Sequence, residues 1–201
     1  ILKRFKMILP IFAYGHPVLK TKANKIDKDF KDLNKLINDM WETMYNANGV
    51  GLAAPQVGIS LRLFVIDTKP FSDDENLCEE ESLKLKSFRR VFINPEILNE
   101  NGEAWDFNEG CLSIPEVRAD IKRSKNISIK YFDTNFKEHF KEFDGLIARV
   151  IQHEYDHIEG ILFTDKLSSL KRKILKRKLL DISKGKIPTD YLMRFSKTKI
   201  K

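Results

Sequence analysis

The segment 153–157 reads His-Glu-Tyr-Asp-His, which places two imidazoles and a carboxylate at a spacing that could hold a metal ion. Residues four apart on a helix lie on the same face, so His153 and His157 can bind one ion together. Burying a carboxylate is costly unless it is paired or protonated, so an inward-facing Glu154 needs a reason. Beside a cation, Glu154 could take a proton from water and return it to a leaving amine, which is hydrolytic chemistry.

The helix that would carry this segment has two different faces. On a helical wheel of residues 146–161, Glu154 and His157 fall inside an apolar arc and His153 lies at its edge. The opposite arc is polar and predicts an amphipathic helix with this side turned away from the core: Ala148, Arg149, Gln152, Tyr155, Asp156 and Glu159. The alternative is a pair of hydrogen-bonded core histidines, which the inward-facing glutamate disfavours.

A catalytic ion needs a third protein ligand and an open coordination position. Metzincin peptidases supply that ligand downstream of the helix, but Phe163 occupies the corresponding place here. Upstream, the thiol of Cys111 would be ionised beside a divalent cation, although a free cysteine is also common as a small core residue. Adding Cys78 as a fourth ligand would give a closed structural zinc site, which would leave Glu154 without a role.

The segment 49–54 reads Gly-Val-Gly-Leu-Ala-Ala and formally matches a dinucleotide-binding fingerprint. That fingerprint follows a strand and opens a helix, whereas a helical pattern precedes this segment and Pro55 would fall inside the next helix. The segment instead offers a backbone with little side-chain cover to an extended substrate. Gln56 follows it, and a side-chain amide can donate to a developing oxyanion, although Gln56 alone could equally be a surface residue.

The elements that must position these residues are helices at both ends of a β-rich region. Apolar residues three and four apart predict a helix over 27–45, and the histidine helix is predicted over 145–159. Alternation predicts a strand over 60–67. Further β-type runs follow closely, without helices between them: 90–97, 104–107, 117–121, 126–132 and 138–143. This order favours an α+β fold with antiparallel sheets over a doubly wound parallel sheet.

Two charged segments flank or interrupt this pattern. Residues 69–90 are acidic first and basic afterwards with little apolar content, so we interpret them as an exposed insertion and a candidate for disorder. Residues 168–201 form a predicted basic helical tail whose densest cluster is 171–178. That cluster could bind the phosphates of ribosomal RNA or could be a solvated helix face. As a ribosome contact, its deletion after Leu170 would weaken ribosome binding and spare peptide turnover.

Composition limits the class of protein. A chain of 201 residues with 42% apolar content can bury one core, which favours a single domain over 1–201. No run of eighteen apolar residues occurs, which excludes a spanning helix and disfavours a membrane partner. Two cysteines do not form a disulfide framework and favour a reducing compartment. Because the chain begins at Ile1, we expect a trimmed form from which any targeting segment has been removed.

Three segments together resemble the three motifs of peptide deformylase, in the same order: 49–56, 109–113 and 152–157. The similarity extends over about residues 8–167. The resemblance implies an α+β fold with antiparallel sheets around a central metal-binding helix. It also implies hydrolytic removal of the formyl group from the N-terminal formylmethionine of nascent polypeptides, with release of formate, by a metal-bound water. A zinc-dependent endopeptidase and a metal-stabilised binding module remain as alternative functions.

By motif position, the resemblance implies a role for each site residue. Cys111, His153 and His157 would be the metal ligands, and Glu154 would be the general acid and base. Gln56 and the Leu112 amide would donate to the oxyanion. The substrate backbone would be contacted by the remaining motif residues: Val50, Gly51 and Gly110.

The resemblance also implies cofactor, partner and location. The expected ion is Fe2+, for which Zn2+, Ni2+ or Co2+ can substitute, because a thiolate and two imidazoles suit all of these ions. The expected partners are N-formylmethionyl peptides, with the ribosome as a candidate. An excess of lysine over arginine and abundant Asn and Ile indicate an AT-rich genome. This favours a plastid or apicoplast enzyme over one of the bacterial cytoplasm.

Overall fold

The computed structural model describes residues 7–196, so Ile1 and the last five residues of the predicted basic tail lie outside the described range. Within it the helices and strands follow in this order: β1 (Ile11–Phe12), α1 (Leu33–Asn46), β2 (Gly51–Ala53), β3 (Leu63–Asp67), α2 (Glu79–Ser87), β4 (Arg89–Cys111), β5 (Ile114–Phe132), β6 (Glu138–Asp144), α3 (Gly145–Ile158), α4 (Ser169–Ser183) and β7 (Met193–Arg194). Short 3-10 helices lie at Pro17–Lys20, Ala54–Val57, Lys69–Phe71 and Phe163–Lys166.

Five strands form an antiparallel sheet in the order β2-β3-β4-β5-β6. Helix α3 packs against this sheet and buries residues on every side. The main core lies between them and contains, among others, Phe64, Phe92, Ile127, Ile129, Ile147 and Ile151. The predicted α+β fold, with antiparallel strands around a central helix, is therefore confirmed.

The two longest strands merge runs that the sequence predicts as separate strands. β4 covers the predicted runs 90–97 and 104–107, and β5 covers two further predicted runs, 117–121 and 126–132. The predicted gap between the two runs of β4 covers residues 98–103 and contains Asn101 and Gly102, which are typical turn residues. In the structure Gly102 has a φ of 79° and the strand register shifts between Asn101 and Ala104. A bulge thus absorbs these residues within a continuous strand.

Helix α1 begins at Leu33 instead of at about residue 27. Asp32 precedes it with a φ of 63°, a left-handed conformation that cannot continue a right-handed helix. Phe30, which extends the apolar periodicity of the sequence, is 40% exposed. The periodicity therefore identified the buried face of the helix correctly and its start too early.

The expectation of disorder in residues 69–90 is wrong. The segment contains the 3-10 helix Lys69–Phe71 and the whole of α2. Leu85 and Phe88 are buried in the main core, and the Leu85 carbonyl accepts a hydrogen bond of 2.7 Å from the hydroxyl of Thr68. Phe71 and Leu77 pack against the same core from partly buried positions, so the apolar side chains fix a segment whose other residues are mostly charged.

The charge order of this segment is itself a helix signal. Three glutamates occupy the first turn of α2, Glu79, Glu80 and Glu81, and two lysines occupy its last turn, Lys84 and Lys86. Acidic residues at the start and basic residues at the end of a helix complement its dipole. The order of charges, acidic first and basic afterwards, therefore indicates a helix in this segment. The low apolar content alone gives no such indication.

The C-terminal part of the chain returns to its beginning. The predicted basic helix is present as α4, with Leu179 and Ile182 buried against a third group of core residues. After α4 the chain reverses, and β7 pairs in parallel with β1. This two-stranded pairing was not predicted, because strands of two residues leave no periodic pattern. Among the described helices, none has the length and apolarity needed to cross a membrane.

Candidate metal centre

Two elements bring the three predicted ligands together. Cys111 is the last residue of β4, and His153 and His157 lie one turn apart on α3. One ligand atom from each of the three residues lies within 4.8 Å of those of the other two. The Cys111 Sγ and the His157 Nε2 are 3.2 Å apart. A thiolate and two imidazoles at these separations fit a divalent transition-metal ion and leave room for a further ligand.

Glu109 orients one of the imidazoles. The His153 Nδ1 lies 2.9 Å from the Glu109 Oε2, so the other ring nitrogen, Nε2, is left for a metal. Burial alone would raise the pKa of Glu109. Hydrogen bonds from His153 and Arg123 outweigh burial and hold that pKa far below its usual range, so the carboxylate stays ionised.

The Glu109 carboxylate is part of a buried charge network. It accepts from Arg123 of β5 at 2.7 and 3.0 Å and from Arg149 of α3 at 3.0 Å. Arg123 also donates to Asp156 of α3 at 2.6 Å. Two carboxylates and two guanidiniums therefore balance one another in the interior, which burial requires.

Because of this network, the prediction that α3 turns a polar face away from the core is wrong for most of that face. Three polar residues of the supposed outward face are at most 8% exposed: Arg149, Gln152 and Asp156. They are buried because β4 and β5 supply polar partners, including the Trp105 carbonyl for Arg149 and the Ser124 carbonyl for Gln152. Glu109 was not predicted as a site residue, although the sequence contains a signal for it. Residues two apart on a strand share a face, which places Glu109 beside Cys111.

Glu154 is buried beside the ligand cluster. It is 4% exposed, and its Oε2 has no hydrogen-bond partner among the described residues. Burial raises the pKa of Glu154 to about 7, against smaller opposing effects of His153 and Arg123. A carboxyl group that changes protonation state near neutral pH, with a free oxygen, suits a general acid and base.

Gly51 makes room for this carboxyl group. A Cβ at position 51 would overlap with the Glu154 Oε1 and would lie 2.7 Å from its Cδ. A real Cβ does not approach other atoms so closely, so a side chain at position 51 would displace Glu154. The structure thus gives Gly51 a reason to be glycine that is independent of the substrate contact predicted from the sequence.

The two imidazoles differ in their electrostatic surroundings. Burial would lower the pKa of His153, but hydrogen bonds to Cys111 and Glu109 outweigh it and raise the pKa to about 10. Burial, with the charges of His153 and Arg123, lowers the pKa of His157 well below its usual value. A metal ion binding here would displace the proton of His153 and would find His157 already neutral.

Gln56 is buried and faces the cysteine. It is 1% exposed, so it is not a surface glutamine. Its Oε1 accepts from the Ala53 N–H at 2.8 Å, which turns its Nε2 toward the Cys111 Sγ at 3.6 Å and the Ser113 Oγ at 3.3 Å. Leu112 follows Cys111 in the turn between β4 and β5.

A cleft of about 660 Å³ opens above these groups. Its lining includes nearly all predicted site residues: Val50, Gly51, Gln56, Gly110, Cys111, Leu112, His153 and Glu154. His157 is not among the lining residues and is 1% exposed, so it lies behind the others. The lining also includes residues outside the predicted site, which come from several segments. Pro70 and Phe71 come from the charged segment 69–90, and residues 188–191 come from the C-terminal segment.

Comparison with known proteins identifies the family. The model of the family described as polypeptide deformylase matches residues 8–173. The chain belongs to the polypeptide deformylase family. The peptide deformylase of Christiangramia forsetii is 63% identical over 193 residues, which cover 96% of this chain and 98% of that protein. That of Flavobacterium johnsoniae is 56% identical over 193 residues, with the same coverage of both chains.

A solved structure supports the same assignment. The crystal structure of peptide deformylase from Thermus thermophilus superposes on this deformylase-family chain with a TM-score of 0.76. The identity is 38%, and the alignment covers 89% of this chain and 99% of that one. The family resemblance inferred from three motifs is thus confirmed. All three named relatives are bacterial, so they give no support to a plastid or apicoplast origin.

Replacing Glu109 by glutamine tests the buried network of this deformylase. Glu109→Gln removes the charge that balances Arg123 and Arg149 and weakens the orientation of His153. We expect the free energy of unfolding to fall by about 3–5 kcal/mol and the zinc affinity to fall about 10- to 100-fold. Urea unfolding and competition with a chelator measure the two effects.

Glu96→Gln is the matched control for this substitution. Glu96 is 54% exposed and pairs with Lys130 at 3.3 Å. An exposed pair contributes at most about 1 kcal/mol, and zinc affinity should not change. Equal effects of the two substitutions would show that the buried network does not support the metal centre.

Proposed function

We propose that the protein hydrolyses the formyl group from the N-terminal formylmethionine of nascent polypeptides and releases formate. One observation supports this most strongly. In a chain of the polypeptide deformylase family, the Cys111, His153 and His157 ligand atoms lie within 4.8 Å of one another beside buried Glu154. The cleft above them is lined on one side by the glycine-rich backbone 49–51, which leaves space for an extended peptide.

We further propose Fe2+ as the native ion, held by Cys111, His153 and His157, with Zn2+, Ni2+ or Co2+ as substitutes. The donor set supports a transition metal, because sulfur and imidazole ligands disfavour Mg2+ and Ca2+. A divalent ion bound there would polarise the formyl carbonyl and make water more acidic. The choice of Fe2+ comes from the resemblance to the family and is tested by metal analysis of anaerobically purified protein.

The remaining steps belong to the side chains and backbone of the chain. Glu154 takes the proton of the attacking water and returns it to the leaving amine, as its buried and partner-free Oε2 allows. The Gln56 Nε2 and the Leu112 N–H donate to the developing oxyanion. The backbone of Val50, Gly51 and Gly110 would align the substrate chain.

A comparison of substrates tests the proposed activity. Metal-loaded protein should cleave formyl-Met-Ala and leave acetyl-Met-Ala and internal peptide bonds intact. Glu154→Ala should retain one ion per chain and the same fold, while kcat falls about 100- to 10,000-fold, because proton transfer is lost. Cleavage of internal bonds would indicate a zinc endopeptidase. A folded, metal-loaded protein without turnover would indicate a metal-stabilised binding module.

For origin and organisation, we propose a bacterial enzyme of the cytoplasm that acts as a single catalytic domain. The bacterial relatives at 56% and 63% identity support the origin. They each cover 96% of this chain, which supports one catalytic unit. The organellar preference rested on composition alone, and an AT-rich genome is compatible with a bacterial source.

We also propose that α4 contacts the ribosome through its exposed basic residues. Lys173, Lys176 and Arg177 are exposed on α4, while Leu179 anchors the helix to the core. Cationic side chains on one face bind phosphate without sequence preference. Deleting the chain after Leu170 would not isolate this role, because the deletion also removes residues 188–191 from the cleft.

Charge removal is the cleaner test of ribosome binding. Replacing Lys173, Lys176 and Arg177 by glutamine should weaken salt-dependent ribosome binding and leave peptide turnover unchanged, since these residues are not among those that line the cleft. The matched control replaces three exposed lysines elsewhere by glutamine: Lys122, Lys137 and Lys141. Equal ribosome affinity of the two triple variants would rule out a specific contact through α4.

A further inference from the structure

The chain continues beyond the region that matches the family, and its continuation returns to the cleft. The family match ends at residue 173, within α4. Residues 188–191, which we call the C-terminal wall, nevertheless line the same cleft as Gln56, Cys111 and Glu154. The cleft therefore has one wall built from residues beyond the part of the chain that the family model matches.

The C-terminal wall is anchored on both sides. After α4 the chain reverses at Gly185, which has a φ of 68° and lies so close to the Phe195 ring that a Cβ would be 3.0 Å from it. Beyond the wall, the Leu192 carbonyl accepts from the Ile11 N–H at 2.8 Å as β7 pairs with β1. Because both ends are fixed by contacts, the wall holds a defined position relative to the metal centre.

Tyr191 connects this wall to the turn that follows the cysteine ligand. Its half-buried side chain donates a hydrogen bond of 2.7 Å from the hydroxyl to the Leu112 carbonyl. The Leu112 carbonyl belongs to one of the two peptide planes that flank the Leu112 Cα, and the Leu112 N–H belongs to the other. Fixing the first plane restricts the backbone rotation that would turn the second.

Ser113, the other residue of the turn, is fixed by contacts that do not involve Tyr191. The Ser113 carbonyl accepts from the Tyr14 N–H at 2.8 Å, and its hydroxyl oxygen lies 3.3 Å from the Gln56 Nε2. These contacts fix Ser113 and the Gln56 amide, whereas Tyr191 acts on Leu112. The two donors proposed for the oxyanion thus have different supports, and one of them comes from the C-terminal wall.

We propose that Tyr191 is a positioning residue for the hydrolysis, which holds Leu112 so that its N–H points at the developing oxyanion. This inference rests on the proposed deformylase function. Tyr191 acts through Leu112 and does not itself exchange a proton with the substrate. The C-terminal wall therefore contributes to the chemistry of the centre as well as to the shape of the cleft.

Tyr191→Phe tests this role, because it removes the hydroxyl and keeps the ring. An oxyanion donor acts on the transition state more than on the bound substrate, so its loss lowers kcat with little change in KM. Removal of one such donor costs about 100- to 1,000-fold, and a donor that is only misaligned should cost less, about 10-fold in kcat. KM for formyl-Met-Ala, the zinc content and the thermal midpoint should stay close to those of the unaltered protein.

Tyr45→Phe is the matched control. The Tyr45 hydroxyl also donates a hydrogen bond, to Asp67 at 2.6 Å, but Tyr45 is not among the residues that line the cleft. Its kcat should not change. Equal kcat values for Tyr191→Phe and the unaltered protein, or a rise in KM alone, would overturn the positioning role and leave the proposed function intact. No formyl-Met-Ala turnover by the unaltered, metal-loaded protein would overturn both.

Discussion

The structure depends on one buried carboxylate, that of Glu109, which joins three elements around the metal centre. β4 carries Glu109, β5 carries Arg123, and α3 carries Arg149 and His153, all within hydrogen-bond distance of the same side chain. The proposed ligand sulfur comes from β4 and both proposed imidazole ligands come from α3, so the three can meet only if these two elements keep their relative position. A buried ionic network holds that position because moving one member would leave another charge unpaired in the interior.

The close packing around the centre also explains the residue type at position 51 and the burial of Gln56. Gly51 is a glycine because the Glu154 carboxyl group occupies the space of its side chain. Gln56 is buried because its amide is held by the Ala53 N–H and directed at the sulfur. These residues come from a short strand and a 3-10 helix that pack beside α3. The cleft is thus formed by segments that are distant in sequence. In each of these segments, a contact with a neighbouring element restricts which residue types fit.

A contact can be predicted from the sequence when the residues that form it are close together along the chain, and much less well when they are far apart. The histidine helix is predictable because its spacing is local, and the three motifs identify the family because each is contiguous. The polar residues of α3 are misread from sequence, since Arg149 and Asp156 are buried against partners that β4 and β5 supply. Residues 69–90 look disordered because only two of their apolar residues, Leu85 and Phe88, are fully buried in the core. The hydrogen bond between Tyr191 and Leu112 joins residues 79 positions apart, and no local sequence pattern predicts it.

The most direct test of the account is X-ray absorption spectroscopy of the zinc-loaded protein, with and without Cys111→Ser. We predict one ion per chain, with one sulfur at about 2.3 Å and two imidazole nitrogens at about 2.0–2.1 Å. The sulfur signal should disappear in the variant, and the remaining ligand of the unaltered protein should be a light atom from solvent. A spectrum without sulfur, or one with a second sulfur or a third imidazole closing the site, would contradict an open centre of Cys111, His153 and His157.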